Sequence, residues 1–176
     1  MLSRLTTTAL AAISLCGLPT ASALFNLTAP APLASLGGDA GAGGRAAPCG
    51  GADARDRSSV AEWPVGGLDV AWSSAEAQAG WQINAVLLSD NDGGENGTDF
   101  ASKNNLRTLY TTAAAGPFCL AKVHGIAEWV GQDAVLQVQQ WTGNGNYFYA
   151  CSAIKFIDGE APASKCNVNA GKMFRG

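Results

Sequence analysis

The sequence predicts an all-β protein, an antiparallel β-sandwich with long loops. Three observations lead to this prediction. Short segments alternate apolar and polar residues with the period of two that is typical of a half-buried strand. Turn-forming residues separate these segments, with 22 glycines among the 176 residues. Segments with a helical apolar period are few. A different all-β fold, such as a barrel, is the alternative that the same pattern leaves open.

Composition limits both the size and the function class of the protein. A chain of which 47% is hydrophobic and 14% charged has a globular balance, and its length suits one domain with a sizeable core. The formal net charge is −3 and the basic residues are scattered singly, so nucleic acid is not an expected partner. His124 is the single histidine, which excludes any site that needs two or more imidazoles.

Residues 1–23 have the features of a secretory signal peptide. A basic residue precedes an apolar stretch over residues 5–18, and Ala21 and Ala23 form the small-x-small pattern that signal peptidase accepts. The alternative is an uncleaved membrane anchor, for which the apolar stretch is short. We therefore expect a mature, extracellular chain that starts at Leu24 and has no stable membrane span.

Cleavage would leave an even number of cysteines, which in a secreted chain implies two disulfides. The four that remain are Cys49, Cys119, Cys151 and Cys166. The residues alone do not choose among their three pairings. No two of them have the short spacing of a zinc or redox motif. Two glycosylation sequons begin at Asn26 and Asn96 and suit a secreted glycoprotein.

The first part of the mature chain predicts one strand, one loop and one turn. Residues 24–27 alternate as an edge strand does, and two prolines follow it. Residues 33–60 are rich in glycine and alanine and predict a long loop that is pinned at one point by Cys49. Residues 62–67 predict a turn with Trp63 packed inward.

The middle of the chain alternates between strands and loops. Residues 81–87 put their apolar side chains on one face and predict a strand. Residues 89–99 predict a polar, glycine-rich loop, and residues 100–112 predict a short helix or a loop. Residues 118–123 follow a proline and predict a short strand.

The last part of the chain predicts a β-hairpin followed by a tail. Residues 134–141 and 147–156 are the two strands, and the Gly-Asn-Gly sequence at residues 143–145 is the turn signal between them. Residues 157–176 predict an irregular tail that is tied down by Cys166.

No catalytic constellation stands out, so we expect no enzyme. A Ser-His-Asp triad would need His124, which follows an apolar strand, where a structural or surface histidine is commoner. The cysteines are expected in disulfides and not as nucleophiles. A loose acidic cluster offers oxygen ligands for Ca²⁺ but lacks the spacing of a calcium loop, so a solvated loop is the simpler interpretation. Its members are Asp90, Asp92, Glu95 and Asp99.

The five tryptophans invite a carbohydrate-binding interpretation, because flat rings stack on sugar faces. Trp63 and Trp81 are expected in the core. Trp72, Trp129 and Trp141 are the candidates for exposure, and the alternative is that they fill core or loop-packing positions. A module that binds cell-wall polysaccharide is therefore one interpretation of the sequence.

Six short motifs occur in one order along the chain. They are LFNLTAP at 24–30, PCGG at 48–51, WPVGG at 63–67, FCL at 118–120, GQDAVLQV at 131–138 and YACSAI at 149–154. This order resembles the fungal copper-acquisition-factor family, whose members are similar in fold to lytic polysaccharide monooxygenases and handle copper at the cell surface. The resemblance spans nearly all of residues 24–176. It implies one immunoglobulin-like β-sandwich domain with two disulfides, which by position would join Cys49 to Cys151 and Cys119 to Cys166.

The resemblance also implies a copper site whose ligands are missing here. Copper-binding members begin, after signal removal, with a histidine whose amine and imidazole form one chelate, and a second histidine and a carboxylate complete the site. Leu24 is the expected first residue, and residues 69–76, where the second histidine is expected, contain none. We therefore expect no cofactor, no metal ligands and no monooxygenase activity. A displaced site that uses His124 and a loop carboxylate is the alternative.

The expected role is extracellular binding or interaction. Many members of the family carry a glycosylphosphatidylinositol anchor, which requires an apolar C-terminal tail. Residues 171–176 are not an apolar run, so we expect a released protein. Its expected partner is cell-wall polysaccharide or a cell-surface protein. The alternative function is extracellular copper binding through a non-standard site.

Overall fold

The structure, a computed structural model, describes residues 24–34, 40–88, 105–143 and 145–166, and residues 173–175 by their backbone. Residues 105 and 108–110 are likewise described by their backbone alone. The predicted signal peptide, the sequon at Asn96, the acidic cluster of the 89–99 loop and the turn residue Asn144 lie outside the described residues.

The described residues form nine strands in two sheets. The strands are β1 (Phe25–Ala29), β2 (Val60–Pro64), β3 (Leu68–Ser74), β4 (Ala79–Leu87), β5 (Asn105–Thr112), β6 (Gly116–Val123), β7 (Asp133–Trp141), β8 (Tyr147–Ile157) and β9 (Met173–Arg175). The small sheet has the order β1-β3-β6 and the large sheet the order β2-β8-β7-β4-β5-β9. Every neighbouring pair is antiparallel except β2 and β8, which are parallel. The all-β prediction is confirmed, and the two separate sheets make the fold a sandwich.

A cluster of aromatic rings joins the two sheets. Trp72 of β3 packs on Trp81 of β4, with ring centroids 5.1 Å apart. Phe25 of β1 meets Trp81 edge-on at 5.2 Å, and Phe118 of β6 stacks on Trp72 at 5.8 Å. Each strand of the small sheet thus contributes one ring to the cluster. The apolar surface buried between these rings holds the sheets face to face.

The exposure of the tryptophans differs from expectation at one position. Trp63 and Trp81 are fully buried, as predicted. Trp72 was a candidate for exposure but is only 1% exposed, because its ring fills the space between the sheets. Trp129 is half-buried and packs edge-on against a core phenylalanine at 5.6 Å. Trp141 is exposed.

The long loop between β1 and β2 covers part of the outer face of the large sheet. Cys49 in this loop forms a disulfide with Cys151 of β8. The backbone N–H of Leu33 donates to the Cys151 carbonyl at 2.8 Å. These residues share a second apolar cluster with Val86 of β4 and Val135 of β7. The loop therefore contributes a second core layer and is attached at more points than the single one predicted at Cys49.

A short segment of the same loop crosses from one sheet to the other. Residues 41–43 hydrogen bond to the outer edge of β1. Gly44 then exchanges two backbone hydrogen bonds with Tyr149 of β8, at 3.0 and 2.7 Å. A β-carbon at Gly44 would collide with the backbone of Gly50, so this crossing requires a glycine.

Arg57 ties the end of the long loop to the large sheet. Its guanidinium donates to the carbonyl oxygens of Ala134 on β7 and Ile154 on β8, at 2.9 and 2.8 Å. It also pairs with the Asp133 carboxylate at 2.8 Å. The planar guanidinium has enough fixed donors for all three oxygens, and an ammonium group would not match this arrangement.

Several elements confirm the prediction and others correct it. Strands β4, β6, β7 and β8 lie where the sequence predicted strands. Residues 105–112, predicted as a helix or a loop, form β5, because pairing with β4 decides their conformation. The predicted turn at 62–67 begins inside β2, whose partner β8 is remote in the chain. The tail predicted to be irregular contains β9, which pairs with β5.

Strand β3 was not predicted. Its inward positions are Val70, Trp72 and Ser74, and the serine breaks the apolar alternation that marks a strand. Ser74 is tolerated in the core because its hydroxyl accepts a hydrogen bond from the Gln140 side chain at 3.1 Å. Because a polar residue occupies one inward position, hydrophobic periodicity alone does not predict this strand.

Asp69 fastens the C-terminal segment to the small sheet. Its carboxylate accepts hydrogen bonds from the backbone N–H groups of Lys122, Lys165 and Cys166 and from the hydroxyl of Ser164. Partial burial raises the pKa of Asp69, but these four hydrogen bonds outweigh burial and hold the pKa below its ordinary value. Beside the carboxylate, Cys166 forms a disulfide with Cys119 of β6. Both disulfides of the structure are the pairs that the family resemblance implied.

In the part of the chain that the structure describes, no helix has the length and hydropathy needed to span a membrane.

Replacement of Asp69 by asparagine tests this attachment. Because the folded pKa is lowered, the stability that the carboxylate provides is present above the ordinary pKa of 3.8 and is lost as the pH falls through the folded value. At neutral pH we expect Asp69→Asn to lower the free energy of unfolding by about 1–3 kcal/mol. The difference from the wild type should shrink at about pH 3, as measured by urea denaturation. The exposed Asp158→Asn is the control, and a pH-independent difference for Asp69→Asn would contradict the assignment.

A second pair of substitutions tests the anchor at Arg57. Arg57→Ala leaves two backbone carbonyls without their donor, and we expect the free energy of unfolding to fall by about 2–3 kcal/mol. Asp133→Asn removes only the exposed ion pair and should cost less than about 1 kcal/mol. Urea denaturation of both variants at neutral pH measures the difference. Equal losses would mean that the ion pair, and not the carbonyl contacts, holds the loop.

Candidate functional site

The start of β1 holds the residue expected at the mature N-terminus. Leu24 is half-buried and packs against the core, and its carbonyl accepts a hydrogen bond from the Ala75 N–H at 2.9 Å. The next residue, Phe25, is paired in register with Ser74. Leu24 therefore lies beside the last residues of β3. We call this region, formed by Leu24, Ser74, Ala75 and Glu76, the Leu24 end.

The side chains at the Leu24 end offer oxygen atoms that are largely engaged. The Ser74 hydroxyl accepts from the Glu76 N–H and from Gln140 Nε2, each at 3.1 Å, and donates to the Glu76 carbonyl at 3.2 Å. The Gln140 Oε1 atom is buried and has no partner among the described residues. The acidic group here is the half-buried carboxylate of Glu76. No imidazole belongs to this set.

His124 lies at the opposite end of the small sheet. It directly follows Val123, which pairs with Leu68 at the start of β3. Strand β3 then runs from Leu68 to Ser74, which is a distance of about 20 Å for an extended chain. His124 itself is exposed. The histidine and the Leu24 end are therefore too far apart to share a ligand.

One group of three residues with metal-ligating side chains occurs among the described residues, and it does not include His124. The candidate ligand atoms of Asp69, Cys119 and Cys166 lie within 4.8 Å of one another. Both sulfur atoms belong to one disulfide, so neither is a thiolate. The Asp69 carboxylate already accepts hydrogen bonds. This group therefore stabilises the C-terminal segment and does not form a metal site.

A cleft of about 310 Å³ lies beside this disulfide. Pro30, Leu68, Cys119 and Pro162 contribute to walls that are mainly apolar. Its one carboxylate is Asp69, which is engaged as described above. Lys165 also lines the cleft, but the described lining residues include no histidine, serine, threonine or free cysteine that could act as an activated nucleophile.

The structure separates the residues that the sequence proposed for sites. Asn26 is exposed on β1, and its glycosylation stays a prediction. His124 belongs to no group of three metal-ligating side chains among the described residues. Of the three tryptophans proposed for sugar binding, Trp72 is in the core, Trp129 is half-buried and Trp141 alone is exposed.

Sequence reasoning missed two tyrosines that accompany Trp141. Tyr147 is the register partner of Trp141 across β7 and β8, so both side chains lie on the same face of the sheet. Tyr149 is two residues further along β8 and shares that face. We call Trp141, Tyr147 and Tyr149 the aromatic face. The aromatic face could have been predicted from the hairpin turn at residues 143–145. Two strands that pair outward from this turn place Trp141 opposite Tyr147.

Comparison with known proteins assigns the chain to a family. The sequence family described as copper acquisition factor BIM1-like matches residues 22–171. No curated protein sequence matches the chain. The matched residues are far more than half of the sequence. They include all of strands β1 to β8 and both disulfides. The protein therefore belongs to the copper acquisition factor BIM1-like family.

Proposed function

We propose that this protein is an extracellular member of its family that keeps the β-sandwich scaffold but has lost the histidine copper site, and that it acts by binding and not by catalysis. One observation carries the proposal. Leu24 stands at the start of β1, while the single histidine lies about 20 Å away at the other end of the small sheet.

The donor atoms at the Leu24 end do not fit copper. An amine and an imidazole close one chelate only when both belong to the same terminal residue, and a leucine side chain has no ligand atom. Ser74 and Glu76 supply oxygen atoms, and the Ser74 hydroxyl is engaged in hydrogen bonds. Copper in proteins favours nitrogen and sulfur ligands over such a set. An amine with one carboxylate is therefore a poor replacement for the site that the family resemblance implies.

Secretion is supported by the chemistry of the cysteines. Disulfides persist in oxidising compartments and are rare where thiols are kept reduced. The two disulfides join segments that are 102 and 47 residues apart in sequence, so they are part of the architecture of the sandwich. Together with the signal-like sequence of residues 1–23, they support an extracellular location.

A copper titration with a gain-of-function variant tests the loss of the site. For the chain that begins at Leu24, we expect isothermal titration with Cu²⁺ to show no submicromolar binding. Leu24→His supplies an imidazole on the terminal residue and should tighten Cu²⁺ binding at least about tenfold. His124→Ala is the matched control and should leave the titration of the wild type unchanged. Submicromolar binding by the wild type that disappears in His124→Ala would instead identify a non-standard copper site.

Mass spectrometry of the secreted protein tests the assumption on which the copper argument depends. We expect the mature chain to begin at Leu24, because signal peptidase cleaves after a small-x-small pattern. The intact mass should fit two disulfides, and digestion under non-reducing conditions should recover the Cys49–Cys151 and Cys119–Cys166 peptides. If the mature chain began at a different residue, Leu24 would not be the terminal residue and the conclusion that the copper chelate is lost would fail.

A further inference from the structure

The aromatic face is the part of the described surface where large rings meet solvent side by side. Trp141 is 38% exposed and its cross-strand partner Tyr147 is 43% exposed. The other exposed large hydrophobic residues among those described, Val60 and Val130, are single aliphatic side chains. Isolated exposed apolar residues are ordinary, whereas two exposed rings side by side offer a flat surface on which another ring can stack.

The glycines near these rings have no side chains that could cover them. Gly143 and Gly145, which flank the tip of the turn, have φ angles of 76° and 73°, a conformation that suits glycine. A β-carbon at either position would meet no atom of the described residues within 4 Å, so none of these residues crowds the two glycines. Gly80 of β4 is the register partner of Trp141 on the other side of β7. As a glycine it has no side chain that could cover the Trp141 ring.

A row of uncharged hydrogen-bonding groups lies next to the rings. Gln82, Gln139 and Tyr149 are register partners on β4, β7 and β8, on the same face as Trp141. The Oε1 atom of the buried Gln139 has no hydrogen-bond partner among the described residues. Burial, and then the charge of ionised Tyr147, raise the pKa of Tyr149. Its phenol therefore stays protonated at neutral pH and can donate a hydrogen bond.

The chemistry of this surface favours a neutral sugar polymer. The face of an aromatic ring is the negative part of its quadrupole and attracts C–H groups, which β-linked pyranose rings present on their flat sides. Amides and phenols bond to the hydroxyl groups around such rings. Neither row contains a charged side chain, whereas nucleic-acid binding requires cations that meet phosphates.

The two exposed rings alone form a patch far smaller than a protein interface. At these exposures, two aromatic side chains offer about 150–200 Å² of surface. A stable protein interface needs about 800 Å² on each partner. Stacking of a few sugar units needs only the two rings and the polar row beside them.

We propose that the aromatic face of the β7–β8 hairpin binds a neutral, β-linked polysaccharide, with Trp141 and Tyr147 as the stacking platform and the row of Gln82, Gln139 and Tyr149 as its polar border. The observation that carries this assignment is the cross-strand pairing of two exposed rings, with uncharged residues in the neighbouring register row. It does not depend on the state of the copper site.

Binding to insoluble polymers tests the proposal. The full-length secreted protein is incubated with chitin, β-1,3-glucan and cellulose, which share the β-linked pyranose face and differ in their substituents and linkage. We expect retention on at least one polymer, and we expect Trp141→Ala and Tyr147→Ala each to raise the dissociation constant about tenfold. Val130→Ala, an exposed apolar residue near the other end of β7, is the matched control and should bind like the wild type.

A second measurement keeps the test independent of folding. Acrylamide quenching of tryptophan fluorescence reports mainly the exposed Trp141, and a soluble oligosaccharide of the retained polymer should protect it in the wild type but not in Trp141→Phe. Absence of retention on all three polymers would overturn the proposal. Retention of the Trp141→Ala/Tyr147→Ala double variant on a polymer would also overturn it. The proposal would likewise be overturned if the wild type were a dimer that the double variant converts to a monomer, because the rings would then be a dimer interface. Copper binding in the separate titration leaves these outcomes unchanged, so the two proposals fail independently.

Discussion

The contact between Trp72 and Trp81 is the interaction on which the arrangement of the sandwich depends. It joins the central strand of the small sheet to a central strand of the large one, and the rings of Phe25 and Phe118 extend it over the full width of the small sheet. Because protein interiors are close-packed, such an interlocked set of rings allows little sliding of one sheet over the other. Within the small sheet, the pairing of β1 and β6 with the two ends of β3 separates the Leu24 end from His124.

Much of the large sheet was predictable from the sequence, and the small sheet was less so. Strands β7 and β8 are adjacent in the chain, alternate clearly and are joined by a strong turn signal, so local information was sufficient. Strand β3 has the buried Ser74, whose partner Gln140 is 66 residues away in sequence. Strand β2 pairs with a segment about 90 residues further along the chain. Long-range partners of this kind leave no local periodicity to detect.

The same distinction applies to the sites. The sequence showed which side chains were missing at the expected copper position, because that position is defined by Leu24 and by a short stretch after a turn. The sequence did not show that Asp69 binds the C-terminal segment, because its partners lie 53–97 residues away. Nor did it show that Arg57 bonds to two strands, because those partners lie 76–97 residues away. Trp141 was a candidate among three tryptophans. Only its pairing with Tyr147 identified it as part of a continuous surface.

The segment that crosses between the sheets has a consequence for how the protein behaves among other molecules. An uncovered strand edge is a template on which a second chain can add a strand, and this is a common route to fibrils. Residues 41–43 already occupy the hydrogen-bonding groups along the outer side of β1. On the opposite margin of the small sheet, Pro117 removes one donor from β6. Intermolecular strand addition is thus disfavoured along β1, and Pro117 makes β6 a poorer template for it, which lowers the tendency of the small sheet to start aggregation.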